Sequence, residues 1–104
     1  MNDVEYQNKE YNFEYRVSVL IYNKEKTKIL VFYGNDIDFY MLPGGKVKEF
    51  EKSEHAIKRK IYEELGYENL KFEFVGVSDE FVTKKEDKIH EITMTYKCIY
   101  DGEI

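Results

Sequence analysis

Apolar and polar residues alternate along residues 15–22, YRVSVLIY. Val17, Val19 and Ile21 fall on one side, and Arg16, Ser18 and Leu20 on the other. This two-residue period predicts a strand buried on at least one face. Residues 29–33, ILVFY, form a short apolar run and predict a second strand, and Phe39 to Leu42 a brief third segment. Gly34 to Asp38 reads as a turn, and Pro43, Gly44 and Gly45 stop the segment that precedes them. Alternation returns in residues 70–77, with 80–82 as an extension, and again in 89–100. There His90, Ile92, Met94, Tyr96, Cys98 and Tyr100 share one face, opposite Glu91, Thr93, Thr95 and Lys97. Thr83 to Lys88 is the expected hairpin loop, and residues 1 to about 13 a loose arm or an edge strand.

The period changes between Ser53 and Leu65. On a wheel of roughly 100° per residue, Ile57, Ile61 and Leu65 make one narrow stripe, which predicts an amphipathic helix. Ser53 is a plausible N-cap, and Gly66 is placed to end the helix in the left-handed region. Lys46 to Lys52 reads as a charged loop leading into it. The order of strands, one helix and more strands implies an α+β domain, or an α/β/α sandwich missing a layer.

A chain of 104 residues allows one domain with a single modest core. Ten tyrosines and seven phenylalanines make that core partly aromatic. The net charge of −5 argues against a broad nucleic-acid surface, which needs clustered Lys and Arg. It leaves open a single phosphate held through a metal. No apolar run approaches 18 residues, and the N-terminus lacks the basic start and apolar stretch of a signal peptide. One cysteine, Cys98, excludes an internal disulfide, and the expectation is a cytoplasmic protein.

Chemistry concentrates on the helix. Glu63 and Glu64 flank one groove, Ala56 leaves room a turn below, and Glu51 lies just before the first turn. Converging carboxylates repel one another and call for a counter-charge. Hard oxygen donors suit Mg²⁺, Mn²⁺ or Ca²⁺, and Mg²⁺ in particular often combines a few carboxylates with retained water and phosphate oxygens. Glycines 44 and 45 let the backbone come close to a ligand, and a carbonyl there can complete a coordination shell. The plainer reading is a solvated Glu-Glu face.

The spacing around the pair resembles the Nudix box: Gly, five residues, Glu, seven residues, Arg-Glu-U-x-Glu-Glu-x-Gly-U, where U is bulky and apolar. Gly45, Glu51, Arg59, Glu63, Glu64 and Gly66 occupy its specified positions, with Ile61 and, more loosely, Tyr67 at U. On ordinary composition, chance agreement at a given start is roughly 10⁻⁷. The lead-in Leu42-Pro43-Gly44 also resembles the family's. The resemblance implies a Nudix-like α/β/α sandwich with a mixed sheet. It implies metal-dependent hydrolysis of a nucleoside diphosphate linked to another group, in which Mg²⁺ or Mn²⁺ neutralises developing charge. It carries Glu63 and Glu64 over as metal-binding glutamates, with the Gly44 carbonyl as a backbone ligand. Glu51 and Arg59 become a pair bracing the loop, and Gly45 and Gly66 backbone-geometry residues.

Lys60 departs from the box, standing where the family has the Glu of Arg-Glu. A protonated lysine neither ligates a hard cation nor acts as a base. Two expectations follow: its ammonium partly replaces the metal's charge, lowering metal affinity and turnover, or it bends away to solvent. The chain also stops before the family's usual last strand and helix, which leaves two expectations for this C-terminally short domain: it is a fragment, or a partner subunit, a second copy in a homodimer, covers the exposed layer.

Outside the box, Glu91 is a candidate further metal ligand or a surface residue, and Glu86 a weaker one. Arg16 is a candidate phosphate contact or a solvated strand residue. His90 and Cys98 read as core and His55 as surface. Phe32, Phe39 and Tyr40 read as core residues or as platforms for a base. Three functions compete: an active pyrophosphohydrolase, a module that binds a nucleotide-like ligand or partner without cleaving it, and a purely structural domain.

Overall fold

The alternating segment at Val17, Val19 and Ile21 is the centre of the molecule. In the computed structural model, which describes residues 1–8, 11–33, 40–84 and 86–102, it extends from Asn12 to Tyr22 as strand β2. The N-terminal arm supplies an edge strand, β1 (Glu5–Gln7), antiparallel to it. β3 (Phe32–Tyr33) and β4 (Tyr40–Met41) make a separate two-stranded ribbon. The apolar run 29–33 therefore gives a shorter strand than its composition suggests, with Ile29 only bridging to Tyr22. The expected turn at 34–38 and Phe39 lie outside the described residues.

β5 (Gly44–Lys46) pairs antiparallel with β2, so the expected loop from Lys46 begins as strand, and Val47 is fully buried. Helix α1 (Ser53–Leu65) follows, then β6 (Glu73–Lys84) and β7 (Asp87–Ile99). β6 and β7 form an antiparallel hairpin whose connection is shorter than expected. β7 lies parallel to β2, from Asn12 opposite Ile89 to Tyr22 opposite Ile99. The sheet order is β1-β2-β7-β6, with β5 also on β2, which makes it mixed.

Parallel register puts Val17, Val19 and Ile21 on the same face as Tyr96 and Cys98. Ala56, Ile57 and Ile61 of α1 and Val47 close over that face to form the core. Ala56 thus fills the core and leaves no room beside the carboxylates, because it packs fully buried against the sheet. Leu65 and Tyr67 lie half-buried at the core's margin, and the Tyr67 ring stacks on Tyr100 at 4.0 Å. Lys52 takes the N-cap position without a side-chain bond. Ser53 is one residue inside the helix instead of capping it, and its buried hydroxyl meets the Tyr96 hydroxyl at 2.6 Å. Gly66 ends α1 at φ 72°, its N–H donating to the Tyr62 carbonyl, as its sequence position implied.

Candidate active site

The site is built where β5 and the loop after it meet the exposed side of α1. Val47 N–H donates to the Tyr15 carbonyl and Val19 N–H to that of Pro43, with Gly45 opposite Val17 between them. That alternation turns the Gly44 and Lys46 carbonyls away from β2. Gly44 has no alternative residue. A Cβ there would lie 2.1 Å from the Val17 carbonyl oxygen.

Glu51 ties the loop to the helix. Arg59 donates to it twice, Nε to Oε2 at 2.7 Å and Nη2 to Oε1 at 2.9 Å. The Lys48 N–H donates to Oε1 at 3.1 Å, and His55 Nδ1 lies 2.8 Å from Oε2. Only 9% of the Glu51 side chain is exposed. The Arg59 guanidinium, aided by the Lys48 N–H and His55, outweighs burial and holds the carboxyl down at about 2. Arg59 is raised in turn, chiefly by Glu51, and its Nη2 also donates to the Lys46 carbonyl at 3.2 Å. The bracing pair is therefore complete, and Glu51 has its oxygens committed. The surface position of His55 was expected, but not its bond to Glu51. Their four-residue separation was the available signal.

Glu63 and Glu64 lie one turn further on. Glu63 meets Arg59 Nη1 at 3.4 Å, a looser contact than the brace. Lys60 does not bend away to solvent. Its Nζ lies 3.4 Å from Glu64 Oε1 and 3.8 Å from Glu63 Oε2, and 24% of its side chain is exposed. Among the described residues, no three His, Cys, Asp or Glu side chains are arranged to hold a metal ion. With Glu51 committed to Arg59 and an ammonium beside the other two carboxylates, this arrangement does not fit a divalent cation.

Glu91 does not join them. It sits opposite Glu14 on β2 and Glu80 on β6, on the sheet face away from α1. The alternation that made it a polar-face residue also turned it from the box. Arg16 shares that face and pairs with the buried Glu14 at 3.0 Å. Lys46 reaches Glu5 at 2.8 Å and Glu14 at 3.6 Å, and the Glu5 bond raises its pKa. His90 is half-buried, bonded to Asp79 and to the Tyr11 hydroxyl. Cys98 is core, and burial pushes its thiol up to about 11. Tyr40 is exposed and tilted against Tyr33, and Glu86 is exposed. The turn also holds Phe50, just before Glu51, at φ 58° and 95% exposed, which the sequence did not signal.

The NUDIX domain model matches residues 12–104, nearly the whole chain. The chain belongs to the NUDIX domain family. Its Nudix fold is a mixed sheet with the box helix on one face. A MutT NUDIX hydrolase from Burkholderia pseudomallei is 26% identical, with a TM-score of 0.66 over 88% of this chain and 70% of that one. An 8-oxo-dGTP diphosphatase of Buchnera aphidicola is 36% identical over 67 residues, 64% of this chain and 52% of that protein. A Streptococcus agalactiae protein named beta-glucuronidase is 29% identical over 91 residues, 86% of this chain and 14% of that protein. The chain thus spans about half the length of one curated relative and a far smaller part of the other. Among the described residues, no helix is long and apolar enough to cross a membrane.

Proposed function

We propose that this Nudix domain hydrolyses a phosphoric anhydride bond in a nucleoside diphosphate linked to another group, at a rate limited by Lys60. The observation that carries this reading is the locked box: Glu51 and Arg59 hold the glycine turn against the helix face that bears Glu63 and Glu64. With Lys60 seated beside both glutamates, the site does not fit the Mg²⁺ or Mn²⁺ that Nudix enzymes generally use. This chain's own contribution is the rigid turn and the two glutamates.

The test is a panel of nucleoside diphosphate derivatives, including 8-oxo-dGTP because of the Buchnera relative, incubated with Mg²⁺ or Mn²⁺ and scored for phosphate-containing products. Slow turnover that Glu64→Gln abolishes is expected. No turnover on any member sinks the hydrolase reading. The Lys60 contact favours a second reading, a module that binds such a ligand uncleaved. Thermal stabilisation by nucleotide without product would select it.

A further inference from the structure

The arm of Lys60 is docked. A Cβ built on Gly45 would lie 2.3 Å from Lys60 Cε and 3.1 Å from both Cδ and Nζ. The lysine therefore runs through the space that this glycine leaves empty, and Gly45 is itself buried. Its ammonium ends beside Glu63 and Glu64, three and four residues ahead on the same side of α1. An ordinary surface lysine would pair with those glutamates loosely, reaching over open helix face. Here the alkyl chain packs against the backbone of β5, which fixes where the charge lies.

The charges nearly balance. Glu51, Glu63 and Glu64 face Arg59 and Lys60, so one negative charge is left over. A divalent ion entering between Glu63 and Glu64 would meet the ammonium at contact distance, and that repulsion offsets the pull of one carboxylate. With Glu at position 60, three carboxylates would converge instead and need a cation.

We propose that the Lys60 ammonium is the resident counter-ion of this carboxylate arc, so that a divalent cation binds only when the Lys60 arm leaves its seat on Gly45. This rests on reading Glu63 and Glu64 as the carboxylates that otherwise face a metal. The domain folds without divalent ions and responds weakly to them.

The experiment needs no nucleotide, so its outcome is separate from whether the domain hydrolyses one. The 104-residue chain and its Lys60→Glu, Lys60→Ala and Gly45→Ala variants are freed of metal with chelator. Each is then titrated with Mn²⁺, followed by calorimetry and by thermal unfolding. Lys60→Ala removes the ammonium without adding a ligand, and Gly45→Ala keeps both charges but displaces the arm. Lys60→Glu is expected to bind Mn²⁺ roughly a hundredfold more tightly than the parent, with a higher Tm in its presence. Lys60→Ala and Gly45→Ala should fall between the two. A Lys60→Glu chain that folds only with Mn²⁺ also supports the proposal. A parent that binds Mn²⁺ as tightly as Lys60→Ala overturns it. So does a gain confined to Lys60→Glu, because the added carboxylate alone would then account for it.

Discussion

Replacing Glu51 by Gln keeps the side chain's shape and removes its charge. The folded carboxyl is held at about 2 against an ordinary 4.5, and it is buried beside Arg59. That difference corresponds to about 3 kcal/mol of stability at pH 7. The sign follows from proton uptake. The unfolded chain protonates near 4.5 and the folded chain only near 2, so the contribution is whole above 4.5 and drains as pH falls toward 2. By about pH 3.5 roughly 2 kcal/mol of it remains. Glutamine still accepts from the Lys48 N–H, so Glu51→Gln should cost about 2–3 kcal/mol at pH 7. Urea unfolding followed by far-UV circular dichroism measures this directly, for both chains at several pH values. A loss under about 0.5 kcal/mol at pH 7, or a gap between the two chains that does not narrow with acid, would refute the argument that the brace is a charged one.

Gly44→Ala should lower stability by at least about 2 kcal/mol, because its Cβ meets the Val17 backbone oxygen. Gly45→Ala, which meets only a movable lysine arm, should cost less than about 1 kcal/mol, and denaturant midpoints compare the two. Phe50→Gly should raise stability by about 0.5–1 kcal/mol, since glycine takes φ 58° without strain and no buried contact is lost. A lower Tm for that variant would contradict this. Cys98, buried and with its thiol pushed up to about 11, should resist iodoacetamide at pH 8 until denaturant unfolds the chain; rapid labelling of the native protein would count against that burial.

The sequence showed the strands whose one face is buried and the helix whose stripe is apolar, because burial writes a period into the chain. Ile57 and Ile61, and the shared face of Tyr96 and Cys98, were legible for this reason. Short elements were not. β5 is three residues of Gly-Gly-Lys, strand only because β2 offers it a partner, and no composition rule marks it. Ser53 looked like a cap because caps are often serine, yet a tertiary partner on β7, Tyr96, claimed its hydroxyl. At the site, spacing gave Glu51, Arg59, Glu63 and Glu64. It could not give the direction of Lys60, which depends on the hollow over Gly45. The placing of Glu91 and Arg16 was not legible, because which sheet face meets the box is settled by strand pairing, and a lone sequence does not state that pairing.

The parallel pairing of β2 with β7 also governs how the protein is made. Synthesis delivers Val17, Val19 and Ile21 early, but β7 and its Tyr96 and Cys98 come some 77 residues later. At typical elongation of about 5–20 residues per second, the strand waits several seconds with one edge unpaired. β5 and α1 reach it first, and they cover only one edge and part of one face. Completion of the sheet is thus a late, long-range event that needs the final hairpin. In the interval, the edge of β2 that β7 will fill stays open to pairing with wrong partners.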